Sequence, residues 1–451
     1  MATIHWFRRD LRLSDNPALL AAIAEAATAS DPRVVPLFVL DPAQFAQLGA
    51  VRGAYLIRSL NELGKSLDRN LLIRHGDPKQ VLPEVIAAAT ASSVHIAAAF
   101  EPELAKLDQE IENLISVPLV RTGSAYAISP GRVNKDDGTP YRVFTPFYRS
   151  WAAHGWRLPA AKPEFANWWM PLQCHGRPAE PELGDLVLPT AGEQAAIARW
   201  ETFQATALKD YAEDRNRSDL INGTSKMSIP LRFGEIHPRT ILKDLKETDE
   251  VYKKEICWRE FYADVLHHNP HTSTENLNKQ YDQMPWERGK TADENFLAWC
   301  QGRTGFPFVD AGMRQLLAEG WMHNRVRMVV ASFLIKDLHI DWRHGADWFM
   351  QWLADGDIAS NQHGWQWTAG SGTDASPFYR VFNPITQGLK FDPSGDYVRK
   401  YIAELAHLPA NTAHEPWKTP AGYQHGYPQP IVDHAVERIR ALADYEKIKK
   451  N

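Results

Sequence analysis

The chain has 451 residues, 44% hydrophobic and 23% charged, with 50 Lys and Arg against 55 Asp and Glu for a net charge of −5. Collagen-like, disordered and disulfide-scaffold classes are excluded, and at about 150 residues per domain the length allows two or three domains. Cys174, Cys257 and Cys300 are isolated and odd in number, so neither a disulfide framework nor a paired-cysteine metal site is expected.

The opening MATIHWFRRDLR turns charged at once, unlike a signal peptide, and no run approaches the roughly 18 apolar residues of a membrane span. A cytoplasmic protein is expected. Residues 1–130 alternate short apolar runs with alanine-rich helical stretches. Thr3–Phe7 reads as a strand, Asn16–Ala27 as a helix, Val34–Leu40 as a buried strand and Ala54–Leu67 as a helix. Leu71–Arg74, Pro83–Ala91, Val94–Ala98 and Glu103–Leu114 continue the series. This order predicts an α/β domain with a parallel sheet and helical crossovers, similar to a Rossmann fold.

Residues 131–199 are rich in Pro, Gly and polar side chains and read as a long surface connector, with one helix near Pro146–His154. From 200 to 451 strand patterns fade. Phe308–Ala318, Met322–Leu338, Trp348–Ala354 and Ile431–Lys449 carry helical spacing, so the second domain is predicted to be all-helical. Ten of the 16 tryptophans lie between Trp258 and Trp417, a density that favours stacking or electron transfer over packing alone.

Ordinary enzyme motifs are absent. WFRRDLRLSDN stands where a glycine-rich dinucleotide loop would follow the first strand, and there is no Walker loop or nucleophile elbow. The histidines of HHNPH (267–271) lie at a helix end and read as a solvated turn, so no metal is expected. Thr224–Ser228 (TSKMS) offers hydroxyls and amides suited to a phosphate, with a plain helix cap as the alternative. Glu255, Trp258 and Tyr262 share a helical face that could hydrogen-bond and stack a base, or be simply amphipathic. Asn324 and Met328 share another, while Arg325 and Arg327 diverge from it and need partners such as Asp355 or Asp357. Those charges suit either a structural ion pair or a tuned cofactor pocket. In NQHGWQW (361–367) Trp365 and Trp367 must point apart. AGSGTDASPFYRVFNP (369–384) is too rich in Gly, Ser and Asp for plain core.

Together GRTGFPFVDAGMRQLLAEGWMHNRVRMVVASFLIKDLHIDWR, DGDIASNQHGWQWTAGSGTDASPFYRVFNP, WFRRDLRLSDN, TSKMS, WREFY and YPQPIV resemble the photolyase/cryptochrome family over essentially the whole chain. The likeness is greatest to class I cyclobutane pyrimidine dimer photolyases. It implies an antenna domain, a linker and a helical FAD-binding domain, and a lyase that uses light and reduced FAD to split pyrimidine dimers in DNA. Tyr211, Thr224, Ser225, Lys226, Met227, Ser228, Tyr252, Arg327, Asp355, Gly356 and Asp357 are implied to bind FAD, with Asn361 facing flavin N5. A neutral amide there supports the reduced anionic flavin without supplying an easily donated proton. The lesion site is implied to comprise Glu255, Trp258, Asn324, Arg325, Met328 and Trp367. The resemblance implies a photoreduction relay from Trp365, nearest the FAD, through Trp342 to Trp286 at the surface.

For the second chromophore, Arg52, Glu101 and Arg232 resemble part of a deazaflavin site, although Ala99 replaces an acid. Leu104 stands where a folate-type member would carry a carboxylate, so a deazaflavin is preferred to methenyltetrahydrofolate. Damaged DNA is the implied partner, with a monomer and no obligate protein partner expected. The alternative within the same family is a cryptochrome-like photoreceptor without repair activity.

Overall fold

The computed structural model describes residues 1–374 and 379–450, so part of the expected loop at 369–384 lies outside the described residues. The chain forms two compact units. The first comprises Met1–Gly184, Pro189–Thr206 and Ser225–Pro270, and the second Asp185–Leu188, Ala207–Thr224 and His271–Asn451.

The first unit is built on a parallel sheet: β1 (Thr3–Phe7), β2 (Arg33–Leu40), β3 (Leu72–His75), β4 (Ser93–Ala98), β5 (Leu119–Ser124) and β6 (Asn167–Trp168). The order is β3-β2-β1-β4-β5, with β6 beside the start of β2 through Arg33–Asn167 and Val34–Trp168. The near-continuous apolar runs of β1 and β2 fit a sheet covered on both faces. Three crossovers share one local device, a capping Asn or Asp followed by Pro. Asn16, Asp41 and Asp77 accept from Leu19, Ala43 and Lys79 backbone N–H, and Pro17, Pro42 and Pro78 open their helices.

Strand order reverses between β1 and β4, where α/β sheets form a crevice at their carboxyl ends. Here the segment after β1 fills that position with ion pairs: Arg8 engages Asp108 and the Ala97 carbonyl, and Arg9 engages Glu101. A glycine-rich loop would have left the crevice open to a dinucleotide.

The proline-rich stretch is not merely a surface wrap. It contributes β6 and a helix, Phe144–His154, whose Phe147 and Trp151 are fully buried. That helix is tied to the long helix Glu250–His268 by a hydrogen bond from Trp151 Nε1 to Glu260 Oε2, at 2.7 Å. Glu260 also accepts from the backbone N–H of Ala127 and Ile128, and burial pushes its carboxyl pKa upward.

The second unit is helical. Its core is formed by Pro307–Glu319, Asn324–Lys336, Trp342–Trp352 and Ile358–Ala369, with Trp299, Phe308, Phe333 and Trp342 fully enclosed. Close packing has a sequence cost at Gly345, where a Cβ would lie 2.2 Å from Trp365. The last helix is His434–Lys450.

Candidate functional site

The first unit carries the TSKMS residues Ser225–Ser228. Lys226 adopts a left-handed φ of 53°, uncommon for a residue with a side chain, and Ser225 Oγ accepts from Met227 N–H at 3.3 Å. The turn leads into the short helix Ser228–Phe233. Tyr252 secures it: its hydroxyl lies 2.7 Å from Ser225 Oγ, and its ring rests against Trp200 and Phe203 at 5.2 and 5.6 Å. Burial pushes the Tyr252 hydroxyl pKa upward, so it stays neutral.

On helix Glu250–His268, Glu255, Trp258 and Tyr262 are all half-buried, as a face turned from the core requires. Trp258 is not a lone aromatic. Phe144 lies flat against it, with centroids 3.6 Å apart and planes inclined by 6°.

The antenna candidates lie in the same unit. Arg9, which received no role from sequence, joins two of them: it pairs with Glu101 and donates through Nε to the Arg232 carbonyl at 3.3 Å. Arg52 is buried.

The second unit carries the remaining candidates. Arg327 Nη2 grips both carboxylate oxygens of Asp355 at 3.2 and 2.9 Å, and its Nε donates to the Met322 carbonyl. The expected pairing is present. Asp357 caps helix Ile358–Ala369 by accepting from Ser360 N–H at 3.0 Å. Arg325 donates twice to Asn216 Oδ1, at 3.1 and 2.7 Å, and lies over the Phe391 ring. Tyr211 is buried, Met328 half-buried and Asn324 exposed. Asn216 gave no signal in sequence, because nothing local connects it to a residue 109 positions later.

Helix Ile358–Ala369 concentrates the chemistry. Asn361 Nδ2 donates to the Ala346 carbonyl at 3.1 Å and to Gln362 Oε1 at 2.9 Å. Both N–H bonds are thereby committed, and a flipped amide would set oxygen against oxygen. What Asn361 can offer a ligand is its carbonyl oxygen. Gln362 and Gln366 bind the Ser273 and Thr272 carbonyls, fixing the helix rotation. Trp365 is 2% exposed, yet its Nε1 has no hydrogen-bond partner among the described residues. Trp367, two positions on, is half-buried, so the expected divergence is observed.

Of the relay candidates, Trp342 is fully buried and donates to Asn276 Oδ1 at 3.0 Å, and Trp286 packs at the edge of the same core. The aromatic rings meeting Trp365 are Phe349 at 5.0 Å and Trp299 at 6.2 Å. Among the described residues no helix is long and apolar enough to cross a membrane.

Within the second unit, the unsatisfied Trp365 N–H and the acceptor left on Asn361 suit a ligand with polar groups; within the first, the hydroxyl-rich turn Ser225–Ser228 suits an anionic one.

Comparison with known proteins agrees. Residues 3–165 match the family model described as DNA photolyase, and residues 252–447 the FAD binding domain of DNA photolyase. The deoxyribodipyrimidine photo-lyase of Agrobacterium fabrum is 38% identical, covering 99% of this chain and 98% of that protein; the Escherichia coli protein of the same name is 36% identical, covering 99% and 98%. A solved class III photolyase from Agrobacterium tumefaciens superposes with a TM-score of 0.90 at 38% identity, over 100% of this chain and 98% of that one. A Synechocystis cryptochrome gives 0.88 at 29% identity, over 99% of each. An archaeal photolyase from Sulfolobus tokodaii with two FAD molecules gives 0.83 at 28%, over 99% and 100%. With sequence and fold in agreement over the full length, this chain belongs to the DNA photolyase family.

Proposed function

We propose that the chain is a deoxyribodipyrimidine photo-lyase that uses blue light to split cyclobutane pyrimidine dimers in DNA, and that the named residues divide the work as follows. The observation that carries the reading is helix Ile358–Ala369, where Asn361 keeps only an acceptor for a ligand and a buried Trp365 keeps an uncommitted N–H.

When bound, reduced FAD supplies an excited electron to the dimer and takes it back after the ring opens. Tyr211, Thr224 and Ser225–Ser228 hold its diphosphate and ribityl parts, with Tyr252 keeping the turn in shape through Ser225. Asn361 would face flavin N5 and, being an amide, would support the reduced anionic flavin without supplying an easily donated proton. Arg327 orients the Asp355 carboxylate beside Gly356 and Asp357.

Trp258 and Trp367 stack on the extruded lesion, Glu255 hydrogen-bonds a pyrimidine carbonyl, and Asn324 and Met328 complete the contact. Photolyases are base-flipping enzymes, and a dimer, already poorly stacked, is cheap to extrude. Arg325, steadied by Asn216, offers its remaining N–H groups to phosphate. Trp365, Trp342 and Trp286 serve photoreduction.

For the second chromophore, Glu101 and Arg232, linked by Arg9, with Arg52, favour a deazaflavin over methenyltetrahydrofolate; the two FAD molecules of the Sulfolobus protein make a second flavin the alternative. Extraction of the chromophores distinguishes them. We read the protein as a cytoplasmic monomer.

The test is a dimer-containing oligonucleotide exposed to blue light with the reduced protein. Loss of dimers is expected, and their persistence overturns the reading. The likeness to the Synechocystis cryptochrome favours a second reading, a photoreceptor. Absence of repair together with light-dependent binding of another protein would select it.

A further inference from the structure

Trp258 belongs to a layered aromatic arrangement within the first unit. Phe144 covers one indole face at 3.6 Å and 6°, and Tyr148 backs Phe144 at 6.0 Å and 25°. Lys254, in turn, lies over the Tyr148 ring at 5.2 Å. The Trp258 edge meets Phe261 and Tyr262.

Phe144 is held in place by the packing of its helix. Its helix is held to Glu250–His268 by the Trp151–Glu260 hydrogen bond and by Phe147 against Phe261 at 5.1 Å. Glu260 is in turn fixed by the backbone of Ala127 and Ile128. Phe144 is 7% exposed, whereas Trp258 is half-buried. One face of the indole is therefore closed by protein, and a flat ligand can stack only on the other.

From this geometry we infer that Phe144 is a positioning residue for lesion recognition: it holds the Trp258 ring flat and in place before DNA arrives. The inference rests on the proposed stacking role of Trp258. Immobilising a side chain at an interface costs about 0.5–1.5 kcal/mol, and the Phe144 stack meets that cost on folding instead of on binding. Phe144 comes from the proline-rich stretch outside the FAD-binding match, so the lesion site depends on a segment that local sequence marks as a connector.

The experiment is a double-mutant cycle on affinity for a dimer-containing oligonucleotide, using flavin-loaded protein. Phe144→Leu removes the flat ring, Phe144→Met is a second truncation in case one variant folds poorly, and Phe144→Tyr keeps the ring. Flavin content and binding of undamaged DNA are measured alongside. The expected result is about three- to tenfold weaker binding of damaged DNA for the Leu and Met variants, corresponding to that immobilisation cost. Undamaged-DNA binding and flavin content stay unchanged, and Phe144→Tyr restores affinity. In a Trp258→Ala background, Phe144→Leu should have almost no further effect.

An equal loss in both backgrounds would show that Phe144 acts through the scaffold, which overturns the inference. So would unchanged affinity in the Leu and Met variants when Trp258→Ala alone weakens binding. If Trp258→Ala itself leaves lesion affinity unchanged, the stacking reading fails and the inference falls with it.

Discussion

Replacing Gly345 with Ala tests where Trp365 sits. Gly to Ala inside a helix ordinarily stabilises by up to about 1 kcal/mol. Here the sign should reverse. The new methyl group would stand 2.2 Å from Trp365 Cη2, 2.7 Å from its Cζ2 and 2.6 Å from Leu334 Cδ2. Carbon atoms in contact prefer about 3.5–4.0 Å, so the indole or the helix must yield by more than about 1 Å. Trp365 has little room to retreat, being 2% exposed with Phe349 at 5.0 Å and Trp299 at 6.2 Å. Overpacking of this kind costs about 1–3 kcal/mol, with the helix-propensity gain offsetting part of it. The assays are denaturant unfolding and the rate at which blue light reduces the bound oxidised flavin in the presence of a thiol. Lower stability and slower photoreduction are expected, while chemically reduced variant should retain dimer splitting if the displacement stays local. A variant as stable as the parent, with normal photoreduction, would refute the placement of Trp365 against Gly345.

Three other changes probe separate parts. Trp342→Phe should block photoreduction and cost about 1–3 kcal/mol, because Asn276 Oδ1 loses its indole donor; chemically reduced variant should still repair, and normal photoreduction would remove Trp342 from the relay. Glu255→Ala should retain FAD yet split fewer dimers per absorbed photon, checked by quantum yield at equal flavin content. Stability should fall as pH drops from about 6.5 toward 4, since burial lowers the His237 and His363 pKa values to about 4. Both rings are neutral in the fold in that interval but protonate when unfolded, with a slope of at most about 1.4 kcal/mol per pH unit for each. His237→Asn should flatten the profile measured by denaturant unfolding; an unchanged slope would assign it elsewhere.

The first strands and helices were legible to within a few residues because their signals are local. A short, mostly apolar run marks β1 and a longer one β2, and the Asn-Pro and Asp-Pro steps at Asn16, Asp41 and Asp77 mark helix starts. That Arg327 needs a carboxylate partner was also legible, since a cation in an apolar run needs one, but local sequence left Asp355 and Asp357 both open and the structure selects Asp355. Other features were hidden. The pairing of Asn167–Trp168 with β2 lacks any strand signature, since two residues have no readable period. The Phe144–Trp258 stack spans 114 positions, and the strained φ of Lys226 follows from a turn that no residue type announces. The interleaved units have the same origin, because contact between distant segments leaves no local mark.

Tryptophan content alone does not distinguish one enclosed indole from another, but hydrogen bonding sets Trp365 apart. Trp151, Trp200, Trp299 and Trp342 are enclosed, and each N–H is satisfied, by Glu260, Asp244, the Val330 carbonyl and Asn276 respectively. Trp365 is enclosed to a similar degree but makes no such bond among the described residues. Leaving a buried donor unsatisfied costs about 1–3 kcal/mol, which a core residue has no reason to bear. Trp348 and Trp352 share the feature in half-buried side chains. Violations of local rules concentrate at functional sites. Trp365 is four residues after Asn361 on the same helix, one turn from an amide whose only uncommitted atom is an acceptor. This pairing supports placing Trp365 nearest the flavin, whereas the satisfied N–H of Trp342 suits a mid-chain relay held rigid by its surroundings.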